Sequence, residues 1–87
     1  VAYRIIFNAH ATRAFRKLSA DVKARLKPAI DELVNNPRPP GVEKLMGTES
    51  TYRIRVSDYR ILYEIHDDKL LIVVVETAHR REVYRKR

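Results

Sequence analysis

The chain has 87 residues, 18 Lys+Arg against 11 Asp+Glu for a formal net charge of +7, and no cysteine. That length makes one domain with a modest core, and the missing cysteines exclude disulfide frameworks, thiol catalysis and cysteine-type zinc sites. The longest apolar run, residues 70–75, is far too short for a bilayer span. Arg4 interrupts the apolar stretch that a signal peptide would need, so the expectation is a soluble, cytoplasmic protein with no membrane partner.

"AYRIIF" (2–7) predicts a first strand. "HATRAFRKL" (10–18) predicts a short helix with Ala14, Phe15 and Leu18 on one stripe. Ser19 is a natural N-cap for a second helix, with Asp21 in its first turn. Val22, Leu26, Ile30 and Leu33 supply that helix's apolar face. Pro28 falls inside it and should kink it or remove one hydrogen bond. "NNPRPPG" (35–41) ends it.

The remainder predicts sheet. "EKLM" (43–46) is a short strand, followed by a "GTES" turn. "TYRIRV" (51–56) alternates strictly, with Tyr52, Ile54 and Val56 on one face and Arg53 and Arg55 on the other. After a tight "SD" turn, "YRILYEI" (59–65) places Arg60, Leu62 and Glu64 opposite Tyr59, Ile61, Tyr63 and Ile65. "HDDK" turns again, and residues 70–77 form a strand apolar on both faces, hence inside the sheet. The expected architecture over residues 1–87 is a single α+β domain. An N-terminal strand and a two-helix hairpin pack on one face of a mainly antiparallel sheet of four to five strands.

The opposite face then carries Arg53, Arg55 and Arg60, and the tail "AHRREVYRKR" starts at its edge. Guanidinium groups stay charged and grip phosphate oxygens bidentately. They would also stabilise the extra charge of a pentacoordinate phosphorus transition state. His79 has proton-transfer chemistry, and Tyr84 could stack on a base or exchange a proton. No carboxylate or histidine cluster has metal-ligand spacing, and no glycine-rich phosphate loop is present, so neither a metal nor a cofactor is expected. Metal-free cleavage would use the substrate's own 2′-OH as nucleophile and thereby select RNA. Taken singly, each residue has a plainer reading: strand arginines as solvent-side residues, His79 as a loop residue, His66 as a turn residue, His10 as part of a first helical turn.

"YRIRVSDYRILYEI" and "AHRREVYR", supported by "ATRAFRKL" and "NNPRPPGVEKL", resemble the RelE branch of the RelE/ParE toxin superfamily. The resemblance implies a RelE-like fold and a ribosome-dependent mRNA endoribonuclease toxin that acts in the ribosomal A site. It implies attack by the 2′-OH, a 2′,3′-cyclic phosphate product and no metal. It also implies a cognate RelB-like antitoxin, with operator DNA bound only through the toxin–antitoxin complex. Carried over by position, Arg60, His79, Arg80 and Tyr84 are the catalytic candidates. Arg53 and Arg55, with the tail residues Arg81 and Arg85, are the RNA-binding candidates. Some members have lysines where this chain has Arg53 and Arg55. Arginine effectively cannot give up its proton, so proton transfer is assigned to His79 and Tyr84. The competing functions are a ParE-like inhibitor of DNA gyrase and a basic nucleic-acid-binding module without catalysis.

Overall fold

The computed structural model describes residues 2–47 and 50–79. Strand β1 (Arg4–Phe7) leads into helix α1 (Ala9–Arg16) and helix α2 (Ala20–Glu32). Strands β2 (Glu43–Lys44), β3 (Thr51–Val56), β4 (Tyr59–His66) and β5 (Leu71–His79) follow. A 3₁₀ turn over Asp67–Lys69 joins the last two strands. The sheet order is β1-β5-β4-β3-β2. Only the β1–β5 pair is parallel, with Arg4 opposite Leu71 and Phe7 opposite Val74. β5 thus lies inside the sheet, between β1 and β4, as expected for residues 70–77.

Both helices start where a side chain supplies a missing acceptor. Asn8 accepts from the Ala11 backbone N–H at 2.8 Å, and Ser19 accepts from that of Val22 at 3.3 Å. In α1 the fully buried residue is Ala11, with Phe15 and Leu18 packed beside it against the core. The buried stripe therefore starts one turn earlier than the one read around Ala14. α2 runs on through Pro28, which lies on its exposed side, and buries Leu26 and Ile30, with Leu33 just beyond its end. These residues close over Tyr52, Ile54, Ile61, Tyr63, Ile65, Ile72 and Val74. Cross-strand pairing puts the sheet residues on one face: Tyr52 opposite Tyr63, Ile54 opposite Ile61, and Ile65 opposite Ile72.

The 35–41 loop is anchored rather than merely placed. Tyr63, fully buried, donates its hydroxyl to the Pro37 carbonyl at 2.6 Å. Burial pushes the Tyr63 phenol well above its ordinary pKa. Arg38 pairs with Asp67 at 2.9 Å, donates to the Tyr52 hydroxyl at 3.3 Å, and lies over the Tyr52 ring at 5.2 Å. Tyr3 donates to the other Asp67 oxygen at 2.6 Å. The Arg38 hydrogen bond first, then that from Tyr3, hold the Asp67 carboxyl below the usual carboxylate range. No helix among the described residues is long and apolar enough to cross a membrane.

Candidate active site

Arg53, Arg55 and Arg60 share a sheet face, as their alternation predicts. Arg53 lies opposite Leu62 and Arg55 opposite Arg60 across β3–β4. Arg60 lies opposite Ala78 across β4–β5, and such partners point to the same side. A groove of about 680 Å³ gathers the three arginines with Glu32 of α2, Asn36 of the loop and Glu43 of β2.

The arginines differ in their surroundings. Arg60 is only 7% exposed, and its Nη1 has no hydrogen-bond partner. Leaving a buried N–H of a cation without an acceptor is unfavourable; a phosphate oxygen would supply one. Arg53 is already engaged: its Nε and Nη2 donate to Glu43 Oε1 at 3.1 and 2.6 Å. That bond from Arg53, with smaller contributions from Arg55 and Arg60, holds the Glu43 carboxyl below its ordinary range. Arg55 is exposed. Glu43 was not legible as a site residue, because its pairing with Arg53 is set by the β2–β3 register. Its one sequence signal was a strand position just after the Pro–Gly loop.

His79 does not join the arginines. β5 carries a bulge: Tyr63 pairs with Val74 but Leu62 pairs with Glu76, so Val75 is the extra residue. Uninterrupted alternation from Ile72 and Val74 would have put positions 77 and 79 on the arginine face. The bulge reverses this, bringing Thr77 opposite Ile61 and His79 opposite Tyr59. The His79 ring meets the Tyr59 ring edge-on at 5.3 Å. His79 lines a separate pocket under α1 together with Thr77 and His10. Arg80, Arg81, Tyr84 and Arg85 lie outside the described residues. Among the described residues, no group of three or more His, Asp or Glu side chains is arranged to hold a metal ion.

A five-stranded sheet backed by two helices, with a groove lined by three arginines, one of them buried, defines an α+β domain. The family model for the ParE toxin of type II toxin–antitoxin systems matches residues 3–84. The mRNA interferase toxin RelE of Escherichia coli K12 is 33% identical over 88 residues, covering 97% of this chain and 92% of that protein. The isolated E. coli RelE toxin matches in structure with a TM-score of 0.81 at 32% identity, over 98% of this chain and 94% of the other. A chain of the intact E. coli RelBE toxin–antitoxin complex matches with a TM-score of 0.80 at 30% identity, over 90% of this chain and 96% of the other. The chain belongs to the RelE branch of the RelE/ParE toxin superfamily.

Proposed function

We propose that this chain is an mRNA interferase, an endoribonuclease toxin that cuts mRNA at the ribosomal A site and is neutralised by a cognate RelB-like antitoxin. The observation that carries the reading is Arg60: a buried guanidinium with an unpaired N–H, lining a groove with Arg53 and Arg55. The likeness to a protein named an mRNA interferase, and to a chain of a toxin–antitoxin complex, supports it. Operator DNA is bound only through that complex.

In this reading Arg60 and Arg80 hold the non-bridging oxygens of the scissile phosphate and stabilise the charge that builds there. The 2′-oxygen attacks phosphorus and the P–O5′ bond breaks, leaving a 2′,3′-cyclic phosphate and a 5′-hydroxyl. One proton leaves the 2′-oxygen and one arrives at the 5′-oxygen. Arginine keeps its protons, so these transfers fall to Tyr84 and His79. His79 faces the α1 side of β5, which makes Tyr84 the first to test. Arg53, Arg55, Arg81 and Arg85 hold the flanking backbone. The substrate brings its own nucleophile, so the reaction needs neither metal nor cofactor.

Primer extension on a reporter mRNA in a translating extract tests this, with the protein, its Arg60→Ala variant and its Tyr84→Phe variant run side by side. Discrete cuts that need ribosomes and vanish in both variants are expected. Intact mRNA with the unaltered protein overturns the reading and turns attention to the alternatives, a ParE-like action on DNA gyrase or nucleic-acid binding alone.

A further inference from the structure

Two buried side-chain polar atoms among the described residues lack a hydrogen-bond partner: Arg60 Nη1 and Thr77 Oγ1. They sit on adjacent strands, Arg60 opposite Ala78 and Thr77 opposite Ile61, and so on opposite faces of the sheet. Arg60 lines the arginine groove. Thr77, 4% exposed, lines a second pocket of about 330 Å³ between α1 and the ends of β4 and β5. That pocket is also basic: His10, Arg13 and Lys17 descend one stripe of α1, facing Tyr59 and His79.

From this pairing we infer that the pocket under α1 is a second phosphate-binding site, taking the backbone of a nucleic-acid strand held at the same time by the arginine groove. Arg13 and Lys17 are four residues apart on a helix, where like charges repel. Neither makes an ion pair with an acidic side chain among the described residues. The nearby carboxylate is Glu76, 3.6 Å from His10. An anion would relieve the repulsion, and its oxygens would give the buried Thr77 hydroxyl an acceptor. The Tyr59 ring beside the pocket offers a surface for an unstacked base. The two sites lie on opposite faces of the sheet near the end of β5, so a strand that fills both must pass around that end and span several nucleotides. The inference stands beside the cleavage reading and does not require it.

Fluorescence anisotropy on the full chain tests the site. The probes are 2′-O-methyl RNA of about ten nucleotides, which lacks the attacking hydroxyl, DNA of the same sequence, and a trinucleotide. The Arg13→Ala/Lys17→Ala double variant should bind the long strand about tenfold more weakly. It should also lower the slope of log K against log salt by about 1.4, two phosphate contacts' worth for a single strand. Thr77→Val should weaken the same probe severalfold with an unchanged melting temperature. Trinucleotide binding, too short for both sites, should not change in any of them. Loss with RNA, DNA or both supports the site and shows which backbone supplies the phosphate. Unchanged affinity and slope in the folded double variant would overturn the inference. So would an equal loss in Arg16→Ala, whose side chain lines the pocket on the other side of α1. An unaltered protein that binds as described yet leaves reporter mRNA intact would sink the cleavage reading alone.

Discussion

Glu43 occupies Arg53. The two residues are opposite one another in the β2–β3 register, and a single carboxylate oxygen accepts from both Nε and Nη2 of the guanidinium. A phosphate arriving at Arg53 has to displace a carboxylate already in place, whereas at Arg60 it meets an N–H with no partner.

Replacing Glu43 by Gln should therefore strengthen RNA binding severalfold, because the competing negative charge is removed while Arg53 stays. Anisotropy with a 2′-O-methyl strand reads this directly, and unchanged or weaker binding would show that Glu43 positions Arg53 rather than masking it. The pH sign follows from the lowered Glu43 pKa. The ion pair persists as pH falls through the ordinary carboxylate range and breaks only below it, so the gain from Glu43→Gln should shrink at still lower pH.

Arg60→Met should separate activity from stability. A buried cation without full pairing contributes little or nothing to folding, so an apolar side chain of similar length should keep or raise the melting temperature. Cleavage of reporter mRNA should fall by about 100-fold or more, the usual loss for a positioned donor to transition-state charge. A large drop in melting temperature would mean that Arg60 is a structural residue.

Asp67 gives a pH-dependent handle on the 35–41 loop, which it holds through Arg38. Its carboxyl is held low by Arg38 and Tyr3. Its contribution to stability is present above the unfolded-state carboxylate pKa and is lost as pH falls through the lower folded value. Asp67→Asn should accordingly be less stable than the unaltered protein at neutral pH. The difference in denaturant midpoint should disappear once the pH is below both values. A difference that persists there would point to packing rather than charge.

Tyr63→Phe removes the hydroxyl that holds the Pro37 carbonyl at 2.6 Å. The ring stays in the core, so the expected loss is about 1–2 kcal/mol, one hydrogen bond plus an unsatisfied acceptor. Hydrogen exchange should rise in the 35–41 loop before the sheet. Uniform exchange across the chain would show that the hydroxyl does not anchor that loop.

Much of this was decided by the chain's local pattern. Strict alternation in "TYRIRV" and "YRILYEI" settles which side chains go inward, because a period of two allows one assignment of faces. Arg53, Arg55 and Arg60 consequently share a face whatever the rest of the chain does. Ser19 as an N-cap and the Val22–Leu33 stripe are equally local, since they depend on neighbours within one or two helical turns. Three features were settled only in the tertiary structure. Glu43 reaches Arg53 through pairing across a turn. The 35–41 loop is held by Tyr63, Tyr52 and Asp67, all distant in sequence. The bulge at Val75 moves Thr77 and His79 from the arginine face to the α1 face. Nothing in "VVVETAH" marks which residue is extra, because a bulge belongs to the pairing of two strands rather than to the pattern of one.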